Sequence, residues 1–174
     1  MKLDNSINSL KGQPMGSKLA EDRHEPVAPG ADHTRLVSYR LSILSRHLAR
    51  EGGRLYLAAI GLTLPQWRVV STLGRFGELG ATAIADHCAM DRGQTSRTID
   101  SLISAGLIRL QQAVRDRRTT LYSLSSEGER RYASGLPIAF ERQARLLAGF
   151  TDAEVETFSR MLDRMSERMR ARRK

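Results

Sequence analysis

A chain of 174 residues with 40% hydrophobic content can build one ordinary core, with or without an appendage, and its composition excludes a fully disordered protein. A formal net charge of +9 at pH 7 favours a polyanionic partner, nucleic acid ahead of a membrane. Cys88 is the single cysteine, which excludes an internal disulfide framework and a CxxC metal site, and no apolar run reaches the length of a membrane span or signal core; a cytoplasmic protein with no membrane partner is expected.

Residues 1–33 carry Pro14, Gly16, Pro26, Pro29 and Gly30 and little periodicity, so a flexible N-terminal arm is expected there. Its three lysines can at most brush a phosphate backbone. From Thr34 to about Ile60, Leu36, Tyr39, Ile43, Leu44, His47, Leu48 and Leu55 recur at three- and four-residue steps, the pattern of an amphipathic helix. Gly52-Gly53 predicts a bend or loosening in its middle. Gly61-Leu62-Thr63 breaks this helix, and Thr63-x-x-Gln66 predicts a capping box for the next, with Pro65 in its first turn. Trp67, Val70 and Leu73 form that helix's inner face. Gly74, Gly77 and Gly80 lead into a short helix at about Ala81–Cys88, with Ile84 turned inward.

Asp91 predicts an N-cap for the following helix, with Gln94 placed to reciprocate. Thr95, Thr98, Ile99 and Leu102 mark its core face, which leaves Arg92, Gly93, Gln94, Ser96, Arg97 and Asp100 outside. Gly106 ends it. Leu107–Gln112 and Thr119–Leu124 alternate as two strands, and Val114–Arg118 forms the tip of the hairpin. From Arg109 to Arg118 the charge is +3. Ser125 or Ser126 starts a helix running past Pro137, with a kink, to about Gly149. Thr151-x-x-Glu154 is a capping box for the last helix, striped by Val155, Phe158, Leu162, Met165 and Met169. The basic run Arg160–Lys174 reads as a solvated face.

A capped helix with a polar outer face, followed by an arginine-tipped hairpin, is how a winged helix-turn-helix grips duplex DNA. The apolar stripes of the first and last helices exceed what one small core can bury, which points to pairing with a second copy. The expected fold is mainly α with a small two- or three-stranded β wing. Residues 61–125 would form the winged helix-turn-helix DNA-binding lobe, and residues 34–60 with 126–174 a helical dimerisation region.

Four segments in this order resemble the MarR family of bacterial transcription regulators. They are GLTLPQWRVVSTL from Gly61, Ile84-Ala85-Asp86, Asp91–Ile108 with its Gly-Leu-Ile exit, and the D-x-R wing from Asp116 to Ser125. The resemblance covers about Thr34–Arg172, with one departure, an apolar Ile103 where relatives usually carry a polar residue. It implies a homodimeric repressor on a near-palindromic operator, released by a small aromatic or phenolic effector. Gln94, Ser96 and Arg97 are the candidates for base edges, Arg92 for a phosphate, and Gly93 for close backbone approach. Arg118 is the minor-groove candidate, steered by Asp116, while Arg115 and Arg117 meet phosphates. Tyr39, His47, Trp67 and Arg68 are candidates for an effector cleft, Arg68 facing a carboxylate.

Two other readings remain open. A redox regulator would act through Cys88, although a buried, inert thiol suits its position better. A winged-helix module could instead dock protein. No phosphate loop, HExxH or Gly-x-Ser-x-Gly motif is present, so no catalysis and no cofactor are expected, and the histidines lack metal-ligand spacing.

Overall fold

The computed structural model describes Gly30, residues 32–112 and residues 120–171. The chain divides into two units, Met1–Arg40 and Leu41–Lys174. In the first, Asp32 Oδ1 accepts from the Thr34 amide at 3.0 Å and caps a single 3-10 turn, His33–Arg35. The His33 ring meets Tyr39 edge-on at 5.2 Å.

Helix α1 spans Val37–Ile60 and stays helical through Gly52-Gly53, so the pair does not interrupt it. The reason lies in packing. Gly52 is buried beneath the Arg142 side chain, whose guanidinium nitrogen would sit 2.9 Å from an added Cβ. The Thr63–Gln66 capping box forms and starts α2, Leu64–Phe76. After a two-residue strand β1, Leu79–Gly80, come α3, Ala81–Cys88, and α4, Arg92–Ser104. Strands β2, Ile108–Gln112, and β3, Thr120–Leu124, form the hairpin.

The sheet order is β1-β3-β2, all antiparallel, with Leu79 opposite Tyr122 and Gln112 opposite Thr120. β1 is too short to show a period of two, so only the pairing reveals it.

Helix α5 spans Ser126–Leu146 and holds Pro137 inside it. It ends short of Gly149. Pro137 lacks the amide that would bond the Ala133 carbonyl, and both residues are exposed, so water can take the freed acceptor. The second capping box also forms: the Glu154 carboxylate accepts from the Thr151 amide and hydroxyl at 2.8 Å ahead of α6, Asp152–Ala171.

The core gathers Tyr56 and Ile60 of α1, Trp67, Val69, Val70 and Leu73 of α2, Ile84 and Cys88 of α3, Ile99 and Leu102 of α4, and Leu107, Ile108 and Leu124 of the hairpin. Helices α2 and α5 close on one another at glycine: a Cβ on Gly135 would lie 2.1 Å from the Trp67 ring. Beyond this seam the packing thins. No residue of α6 is buried, and Phe140, Phe150, Phe158, Met161 and Met169 are exposed.

Candidate nucleic-acid interface and adjoining cavity

Helix α4 has the two faces its sequence requires. Thr95, Thr98, Ile99 and Leu102 are buried, and the two threonine hydroxyls donate to the Asp91 and Gln94 carbonyls at 2.8 Å. Buried hydroxyls are thus satisfied inside the helix, leaving an effectively apolar face for the core. Asp91 Oδ1 accepts from the Gln94 amide at 2.8 Å, fixing the start of the helix. The reciprocal bond from the Gln94 side chain is not among those formed by the described residues. Its amide is therefore available on the flank of the helix, where Gln94 is half-buried.

Arg92, Gly93, Ser96, Arg97 and Asp100 are exposed on the outer face. Four of the candidate DNA-reading residues, Arg92, Gly93, Ser96 and Arg97, thus share the first two turns of one helix, with Gln94 at the edge. Arg109, also exposed, donates to the Leu124 carbonyl at 3.1 Å and braces the hairpin. The wing candidates Arg115, Asp116, Arg117 and Arg118 lie outside the described residues.

A cavity of about 490 Å³ opens among α1, α2, α5 and α6. Its apolar wall comes from residues such as Leu44, Leu48, Leu64 and Leu162, and its flat surface from Tyr56 and Trp67, stacked with ring centroids 4.7 Å apart. Arg68 and Arg142 are its charged lining residues, and no Asp or Glu lines it. Of the effector candidates, Trp67 and Arg68 are here. His47 is exposed on α1 and is not a lining residue; Tyr39 belongs to the N-terminal unit, against His33.

Arg142 went unnoticed in the sequence. It reaches across to α1, donating to the Leu48 carbonyl at 2.8 Å, with its guanidinium carbon 5.5 Å from the Tyr56 ring centroid. Glu51 lies 3.5 Å from its Nε and also pairs with Arg145 at 3.6 Å. The Nε itself is buried without a hydrogen-bond partner. Arg145 pairs with Glu141 as well, at 3.8 Å, so Glu51 and Glu141 together face Arg142 and Arg145, while Arg68 adds a further positive charge to the lining. The only sequence signal was the buried glycine opposite, since a helix must thin where an arginine crosses it.

The sequence profile of the MarR family matches residues 60–119, the span from the end of α1 to the hairpin. The chain is 22% identical over 161 residues to the HTH-type transcriptional repressor IacR of Pseudomonas putida, covering 92% of this chain and 95% of the relative. Among solved structures, a MarR/EmrR family transcriptional regulator from Acinetobacter sp. ADP1 superposes with a TM-score of 0.76 at 23% identity, over 81% of this chain and 99% of that one. The chain has the winged-helix fold of the MarR-family structure on which it superposes.

A further structural neighbour, Bordetella bronchiseptica BpsR, was solved to explain regulation of its DNA binding by 6-hydroxynicotinic acid; it has a TM-score of 0.61 at 22% identity, covering 73% of this chain and 98% of that one. Cys88 is buried in this chain, 3.4 Å from the Thr72 hydroxyl. Burial pushes its pKa up, against smaller opposing pulls from that hydroxyl and from Arg68. A thiol held in its protonated form is a poor nucleophile. Among the described residues no group of His, Cys, Asp and Glu is arranged to hold a metal, and no helix is long and apolar enough to cross a membrane.

Proposed function

We propose that this protein is a transcriptional regulator of the MarR family, a sequence-specific repressor which binds a near-palindromic operator as a homodimer and is released by a small aromatic anion. The observation that carries the DNA reading is α4: a capped helix with one face locked into the core and Arg92, Gly93, Ser96 and Arg97 exposed along the other. Such a helix enters a major groove with its N-terminal turns foremost. Gln94, Ser96 and Arg97 read bases, Arg92 takes a phosphate, and the arginines of the wing, Arg115, Arg117 and Arg118, track the backbone and minor groove with Asp116 orienting them.

Pairing is supported by the apolar surface left on α5, α6 and their connection, where Phe140, Phe150, Phe158, Met161 and Met169 are exposed. A soluble monomer rarely leaves so much large apolar surface along two helices. The effector class is supported by the cavity, which offers aromatic walls, two arginines and no carboxylate among its lining residues. An aromatic ring bearing one acidic group fits both features. The regulation of DNA binding by 6-hydroxynicotinic acid in BpsR, a protein of similar fold, supports a ligand of this kind.

Selection from a random duplex pool, followed by stoichiometry on the winning sequence, tests the reading. The expected outcome is a near-palindrome bound by two chains. Salt-sensitive binding without enrichment, or no binding, favours the protein-docking alternative and removes the operator from the account. The redox alternative has less support, because burial holds Cys88 protonated.

A further inference from the structure

One side chain joins the cavity wall to the DNA-reading helix. Gln66 sits in the first turn of α2, among Leu64, Trp67 and Arg68, which line the cavity. Its Oε1 accepts from the Thr63 amide and hydroxyl, each at 2.9 Å, and its Nε2 donates to Ser101 Oγ on α4 at 3.1 Å. These partners fix the orientation of the amide, because turning it over would aim an NH2 group at the Thr63 N–H. Ser101 gives its own proton to the Thr98 carbonyl at 2.9 Å, so its oxygen is left to accept. Thr98 donates in turn to the Gln94 carbonyl at 2.8 Å. Hydrogen bonds thus run from the first turn of α2 to the reading turns of α4.

Neither helix needs this link to form. The cap of α2 uses Oε1 alone, and Ser101 is exposed on a helix where alanine is the better helix former. We propose that Gln66 is a positioning residue which, through Ser101, sets α4 against the first turn of α2 and carries the occupancy of the cavity to the DNA-reading helix. The proposal rests on the cavity being the effector site. A ligand pressed against Leu64, Trp67 and Arg68 displaces the turn that carries Gln66. Apolar packing between helices tolerates a small slide, whereas a hydrogen bond with its angular demand does not.

The test uses Ser101→Ala, which removes the acceptor and keeps both the α2 cap and the α4 helix. Benzoate is the probe, and its binding is read by quenching of Trp67, the only tryptophan. Ser101→Ala is expected to melt with the wild type, to bind random duplex equally, and to bind the selected operator about three- to tenfold more weakly, the scale of one lost hydrogen bond. Saturating benzoate is expected to weaken operator binding by the wild type and to change that of the variant less than twofold. If benzoate quenches both proteins and weakens both equally, the link is not the route and the proposal falls, while the effector reading stands.

If benzoate fails to quench the wild type, the aromatic-anion reading fails, and a covalent filler decides the proposal. Ala49→Phe places a ring in the cavity, with Ser45→Phe as the second choice if the first does not fold. The filler is expected to weaken operator binding in the wild-type background and not with Ser101→Ala. Equal effects in both backgrounds, including none in either, overturn the proposal.

Discussion

Two glycines in helical backbone, Gly53 of α1 and Gly135 of α5, should respond in opposite directions to the same change, Gly→Ala. Alanine gains about 1 kcal/mol over glycine in a helix interior, and at Gly53 nothing lies within 4 Å of the added Cβ. Gly53→Ala should therefore stabilise by close to that amount. At Gly135 the same methyl would fall 2.1 Å from one Trp67 ring carbon and 2.4 Å from the next. Relief requires a shift of more than an ångström, and the ring is held from one side by Tyr56, stacked at 4.7 Å. Overpacking of this severity belongs at the top of the usual range, about 3 kcal/mol. Subtracting the helix gain leaves a net loss of about 2 kcal/mol, or a fall in Tm of roughly 4–8 °C for a chain of this size. Urea unfolding followed by circular dichroism, at one fixed protomer concentration because association adds to apparent stability, gives both numbers. The Trp67 emission maximum should move in Gly135→Ala and stay in place in Gly53→Ala. Stabilisation by Gly135→Ala would mean that α5 does not lie against Trp67, and the reasoning about the seam would fail.

The remaining expectations are narrower. Gln94→Ala should lower operator affinity more than random-duplex affinity, by about 1–3 kcal/mol at the base pair it reads; an equal loss on both would make it a backbone contact. Native Cys88 should resist iodoacetamide at pH 8 and react only on unfolding, since burial raises its pKa; rapid native labelling would restore the redox reading. Glu127 has its pKa lowered from 4.5 by hydrogen bonds from Arg131 and Arg130, so the stability it contributes is full above pH 4.5 and fades as pH falls through the lowered value. Glu127→Gln should flatten that acid-side loss in pH-dependent melts, and an unchanged slope would remove Glu127 as a contributor. Arg142→Met should weaken benzoate binding, followed by Trp67 quenching, at least tenfold, and by more than Arg68→Met does; the reverse order would place the anion at Arg68.

Most of the fold was legible because its signals are local. A capping box is read from four consecutive residues, and both predicted boxes, at Thr63 and Thr151, formed. The core face of α4 follows from the helical period alone. What the sequence misstated depends on residues far apart in the chain. Gly52-Gly53 looks like a weak point by propensity, yet Gly52 is the seat on which Arg142, ninety residues later, crosses α1. β1 exists only as a partner of β3.

The same division explains the site. The proposed DNA-reading residues sit on one helix at fixed spacing, so the period places Arg92, Ser96 and Arg97 together without any tertiary information. The cavity draws on four helices, and no spacing rule connects Ala49, Trp67, Arg142 and Phe158. Aromatic and histidine content on α1 suggested Tyr39 and His47, but helix phase decides which residues face α2 and α5, and it selects Leu44, Leu48 and Tyr56. Arg142 matters for a reason that composition cannot carry: its Nε is buried without a hydrogen-bond partner, with the Glu51 carboxylate 3.5 Å away. A buried donor in that condition costs about 1–3 kcal/mol. A ligand carboxylate that satisfied it would recover part of that cost on binding, which supports the proposed anionic effector.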